Sequence, residues 1–117
     1  MSLKQLSFFF CILLSAGCEK NEQTRECMDN PINFISLTAD NDTIEAGMST
    51  NVKALAEGYK ISYEWSATRG YIMPEDNKPN EIKYSASPCA VGEIIITCRV
   101  TDFCKNSKSK DVTITVL

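Results

Sequence analysis

Six cysteines and fifteen carboxylates are the side chains of this 117-residue chain best suited to nucleophilic, acid–base or ligating chemistry, and no histidine accompanies them. Without an imidazole, a serine or cysteine nucleophile lacks the base that usually activates it, which excludes that class of hydrolase and transferase. Two carboxylates can still share acid and base roles, and the local pairs are Glu75-Asp76 and Asp40 with Asp42. Both lie among Pro, Asn and Gly, where Asp is selected because it hydrogen-bonds its own backbone in turns. No catalytic residue is expected, and the chain reads as a non-enzyme. Calcium needs roughly six to eight loop oxygens. Asp40-Asn41-Asp42 lacks the alternating spacing and offers too few, so no metal and no cofactor is expected. Tyr59, Tyr71 and Phe103 fall in or beside loops and could stack on sugar rings, but in sequence they are scattered.

The cysteines are not equivalent, because the N-terminus sorts them. MSLKQLSFFFCILLSAG has one cation at Lys4, an apolar centre from Leu6 to Leu14 and a small-residue exit. This is the anatomy of a secretory signal, too short for a transmembrane helix of about 20 apolar residues. Ser15, Ala16 and Gly17 lead directly into Cys18. The segment resembles the lipobox of bacterial lipoproteins, in which the cysteine thiol is acylated and the signal is cut just before it. Ser15 stands where most families have Leu, with Leu14 one place earlier, a tolerance seen in Bacteroidota lipoproteins. The resemblance implies a signal peptide over 1–17, lipid on Cys18 and a membrane partner reached through that lipid. Glu19, rather than Asp, after the cysteine fits outer-membrane sorting, and the EKNE start resembles tethers that lead to the cell surface.

Cleavage there leaves the hundred residues from Cys18 to Leu117, enough for one small domain. Their eleven basic and fifteen acidic residues give a formal charge of −4, with no basic block to replace phosphate counterions, so nucleic acid is not an expected partner. Cys11 leaves with the signal and Cys18 takes lipid, so Cys27, Cys89, Cys98 and Cys104 remain. An even number in a small exported domain favours disulfides over zinc, since neither a CxxC pair nor a histidine is present.

These groups need a frame. CEKNEQTRECMDNP, residues 18–31, is too polar to fold alone and reads as a tether. Beyond it apolar residues recur every second position, with turn residues between the runs. The runs are INFISLTA, a short piece at Thr43 to Glu45, NVKALA, KISYEWS, EIKYSA, EIIITCRVTD and DVTITVL. Each carries one apolar face, such as Ile94, Ile96, Cys98 and Val100. About seven short strands close most naturally as an all-β sandwich over 32–117.

Tyr63-Glu64-Trp65, then Gly70, Val91-Gly92, ITCRVTD and a final VTITV are similar to the pattern of immunoglobulin-like and PKD-like domains of bacterial surface proteins. That resemblance implies a Greek-key sandwich, with Trp65 as core anchor, Gly92 as loop glycine and Asp102 as turn aspartate. The family's glycine after the aspartate is replaced by FCKNSKSK, which leaves Asn106 as the expected positive-φ residue. In this topology the start of the first strand and the exit of the sixth share one end, so Cys27 is expected to bond Cys104. By elimination Cys89 pairs with Cys98, or both remain free thiols, because Cys98 lies ~13 Å down its strand at ~3.3 Å per residue.

The expected role is non-catalytic: a surface-exposed module for adhesion, spacing or recognition of a protein or glycan not yet identified. A small accessory subunit docked on a larger outer-membrane complex is the other reading, favoured by any large apolar surface patch. Asp42-Thr43-Ile44 also resembles a Bacteroidota O-glycosylation acceptor, with Thr43 as the modified residue.

Overall fold

A computed structural model describes residues 25–117; the signal segment and Cys18 lie outside the described residues. Eight strands form: β1 (Asn33–Ala39), β2 (Thr43–Ile44), β3 (Ser49–Glu57), β4 (Ser62–Ala67), β5 (Tyr71–Glu75), β6 (Lys78–Ser85), β7 (Gly92–Thr101) and β8 (Ser107–Val116). They make two four-stranded sheets, ordered β1-β3-β6-β5 and β2-β8-β7-β4, with all pairs antiparallel except β2 beside β8. This is the strand order of an immunoglobulin-like sandwich, ABED against CFG, with a short extra strand added to the edge of the last. No helix among the described residues is long and apolar enough to cross a membrane.

One more strand is present than the sequence suggests. Tyr71–Glu75 contains Pro74, which lacks an N–H and is tolerated only at a sheet edge, and β5 is that edge. Asn77, at φ 61°, turns the chain back into β6. β1 conceals a different irregularity. Its pairing with β3 shifts between Phe34 and Ser36, so Ile35 bulges outward and the inward phase moves from Ile32 and Phe34 to Leu37 and Ala39.

Two apolar clusters fill the sandwich. One is built on Val52, Ile82, Tyr84, Ile94, Ile96, Ile114 and Val116; the other on Ile32, Phe34, Ala54, Cys98 and Val100. Trp65 packs against both but is only half-buried, which corrects its expected role as the buried anchor. It stands on β4, the outermost strand of its sheet, and its indole N–H donates to the Pro79 carbonyl at 3.1 Å across the sheet boundary. Among the described residues the largest fully buried side chain is Tyr84, whose hydroxyl donates to the Arg69 carbonyl at 2.8 Å.

The inner face of β8 changes character along its length. Ile114 and Val116 are buried, whereas Lys108 and Lys110, opposite Val100 and Cys98, occupy the same face at the other end. The Lys110 ammonium lies 5.9 Å from the Phe34 ring centroid, so its stem covers the flank of the second cluster while its charge reaches water. Inward charges on an otherwise free strand edge also oppose sheet-to-sheet aggregation.

Folding begins upstream of Ile32. Residues 25–29, assigned to the tether by their polarity, form a single helical turn, and Cys27 within it is only 4% exposed. Local composition gave no sign of this, because a distant covalent bond holds the turn in place.

Candidate functional site

The sandwich has two ends of different character. At the near end β1, β4, β6 and β8 begin and β3, β5 and β7 finish; the reverse holds at the far end. Cys27 bonds Cys104 at the near end, with Cα atoms 6.3 Å apart and a sequence separation of 77. This is the expected pairing.

The turn that carries Cys104 is organised by Asp102. One carboxylate oxygen accepts the backbone N–H groups of Cys104 and Asn106, both at 2.9 Å, and the other accepts the Asn106 amide at 3.0 Å. Burial alone would raise the Asp102 pKa. Hydrogen bonds from Asn106, Cys104 and Lys105 outweigh it and hold the carboxyl below its ordinary value. Lys105, not Asn106, takes positive φ, at 71°. The Asn106 side chain is committed to Asp102, so the left-handed step falls one residue earlier.

Cys27, Cys104 and Asp102 bring three ligand-type atoms within 4.8 Å of one another. The sulfurs are bonded to each other and carry no thiolate, and the carboxylate is filled by N–H donors, so the cluster is structural.

Of the three loop aromatics, two meet. Tyr59 and Phe103 pack edge to face with centroids 6.1 Å apart, the Phe103 N–H donates to the Tyr59 carbonyl at 3.1 Å, and the Lys60 ammonium lies 5.4 and 5.3 Å from the two rings. Tyr71 starts β5 at the opposite end, so the three share no platform. Lys60 is not among the expected site residues; Gly58 just ahead of the strand run was the available sign of a turn there, and in the structure Lys60 takes φ 49°.

At the far end the loops after β2, β4 and β6 converge. Ala86 donates to the Met48 carbonyl at 2.8 Å, Ala46 to the Leu117 carbonyl at 3.0 Å, and the Arg69 guanidinium to the Val91 carbonyl at 3.4 Å. Met48, Tyr71, Val91 and Leu117 all leave large apolar surfaces exposed on this end. Apolar side chains next to turn glycines, as in Gly47-Met48 and Val91-Gly92, were the available signal.

The remaining candidates are dispersed. Cys89 and Cys98 are free, the first exposed near the far end and the second buried. Their bond does not form because Cys98 points into the core opposite Lys110, well down β7. Burial pushes the Cys98 thiol up to about 12, which keeps it protonated. Asp40 and Asn41 border a polar recess that also includes Lys83, whose cation disfavours a metal ion there. Glu75 ends β5 and Asp76 occupies the following turn. Thr43 is exposed on β2, its hydroxyl 3.4 Å from the Asp42 carboxylate.

No family model and no curated protein matches the chain. Among solved structures it is similar to CopC from Methylosinus trichosporium OB3b at 16% identity, covering 73% of this chain and 92% of that one, with a TM-score of 0.43. At that level the likeness extends to neither ligand nor function.

Proposed function

We propose that the protein is a lipid-anchored, non-catalytic recognition domain of the bacterial outer surface, held by acylated Cys18 and presenting its far-end loops to a protein or glycan. The observation that carries this reading is the Cys27–Cys104 bond. It fastens the chain to the near end only nine residues after Cys18, so an anchor at Cys18 leaves the opposite end facing outward. The absence of histidine and the protonated, buried Cys98 thiol support a role without catalysis.

The anchor is tested by Cys18→Ser. An unprocessed precursor that no longer partitions into detergent is expected, and normal processing of the variant would refute lipidation. Protease shaving of intact cells tests display, since a surface domain is removed and a periplasmic one is spared. Recognition is tested by capture from intact cells with wild type and with Met48→Ser/Val91→Ser, which should lose whatever the far end holds.

One observation favours the second reading, a subunit docked on a larger outer-membrane complex. Met48, Tyr71, Val91 and Leu117 give the far end more exposed apolar surface than a plain spacer needs. A partner retained through high-salt washing would select permanent docking, because apolar contacts are not screened by salt.

A further inference from the structure

The near end carries features that neither spacing nor far-end recognition uses. The turns at 58–61 and 102–106 are stitched together by the Phe103 to Tyr59 hydrogen bond, and each holds a lysine at positive φ, Lys60 and Lys105. A side chain other than Gly is strained in that backbone region, and at Lys60 the strained turn sets the ammonium beside the aromatic pair. Phe103 remains 47% exposed. Met28, 74% exposed and one residue after the disulfide-bonded Cys27, borders a recess of about 310 Å³ together with Pro31, Ile32 and Lys108.

We propose that this end rests on the membrane, with Phe103, Tyr59 and Met28 at headgroup level and Lys60, Lys105 and Lys108 paired with lipid phosphates. The inference depends on the proposed anchor. Nine residues from Cys18 to Cys27 span roughly 30 Å at most, and Cys27 is bonded to the neighbour of Phe103, so an acylated chain keeps this end within that distance of the bilayer. Glu26, Asp29, Glu57, Glu75 and Asp76 lie at the same end, beside the further cations Arg25 and Lys78, so the surface is not a simple polybasic patch. Its character is amphipathic instead. Aromatic bodies with polar tips and lysine stems that carry their charge outward are what a lipid–water boundary accommodates. A second, weaker contact of this kind adds to an acyl anchor and fixes orientation.

The test uses the native far-end thiol. Full-length acylated protein carrying a fluorophore on Cys89 is placed in vesicles of phosphatidylcholine doped with phosphatidylglycerol and an acceptor lipid, and the distance of Cys89 from the bilayer is read by energy transfer. A single narrow distance, about the length of the sandwich at roughly 35 Å, is expected from ten-residue strands at ~3.3 Å per residue. The distribution should broaden in Lys60→Gln/Lys105→Gln/Lys108→Gln and in Phe103→Ser, but not in Lys53→Gln/Lys83→Gln. A distribution already broad in wild type, or insensitive to those changes, overturns the proposal, as does a partner protein cross-linked to Lys60 in cells in place of lipid. Mass spectrometry of the N-terminus separately reports acylation. If the chain carries no lipid, vesicle co-sedimentation that weakens about fivefold for each lysine removed still supports the surface, and no co-sedimentation overturns it.

Discussion

Tyr84 lies against Gly70 so closely that no side chain fits between them. Gly70 sits at φ 90°, and a Cβ built there would be 2.7 Å from Cε1 and Cζ of the Tyr84 ring, with the hydroxyl also in contact. That hydroxyl is fixed by its bond to the Arg69 carbonyl, so the ring cannot retreat. The turn between β4 and β5 and the largest buried side chain of the core are therefore one unit.

Gly70→Ala should be among the most damaging single changes in the domain. A strained φ costs about 1 to 3 kcal/mol, and displacement of a packed ring adds overpacking of similar size. Tyr84→Phe removes only the hydrogen bond and should cost about 1 to 2 kcal/mol. Urea midpoints of the two variants check the order. A Gly70→Ala midpoint above that of Tyr84→Phe would mean that the ring is free to move.

Much of this frame was legible before the structure, and the failures have physical causes. Ile94, Ile96, Cys98 and Val100 alternate cleanly and are all buried, because β7 lies inside its sheet with one face on the core. β5 was hidden by Pro74, which signals a turn unless the strand is an edge. The start of β8 was hidden by Lys108 and Lys110, because an inward lysine at an open flank breaks the rule that apolar residues face in. Trp65 is expected as core anchor from the resemblance, but neither the motif nor periodicity shows that its strand lies at a sheet edge, which leaves it half-buried. Of the candidate site, the Cys27–Cys104 bond followed from topology. The grouping of Tyr59, Lys60 and Phe103 did not, since it joins two loops separated by more than forty residues.

Asp102 should give the domain an acid-sensitive component. Its folded pKa lies below the ordinary 3.8, so the ionised form is favoured by folding. That contribution is complete above the unfolded pKa of about 4 and is lost as pH falls through the lower folded value. Asp102→Asn should lower the thermal midpoint at neutral pH, and the gap to wild type should close below about pH 4. A gap that stays constant down to pH 2, far below the ordinary carboxylate range, would mean that the variant acts through shape and not charge.

The two free thiols should differ sharply in reactivity. Cys89 is exposed, whereas Cys98 is enclosed and its thiol is pushed up to about 12, leaving about one thiolate in ten thousand at pH 8. Iodoacetamide followed by peptide mapping should mark Cys89 in the folded protein and Cys98 only after denaturant. Equal labelling of both without denaturant would show that the near-end cluster opens readily.

The Cys27–Cys104 bond should be the largest single contribution to stability and also the determinant of reach. Closing a loop of 77 residues removes about 4.5 kcal/mol of unfolded-chain entropy, against ~5 to 15 kcal/mol for a whole domain. Cys27→Ser/Cys104→Ser should therefore shift the denaturant midpoint by a large fraction of the total. It should also release the helical turn at 25–29, whose attachment is that bond, so trypsin should cut after Arg25 faster in the variant while the β-sandwich survives at low temperature. Reduction of wild type with dithiothreitol should reproduce both effects. If Arg25 is cut equally fast with the bond intact, residues 25–26 fray independently of it, and the bond holds only Cys27 itself.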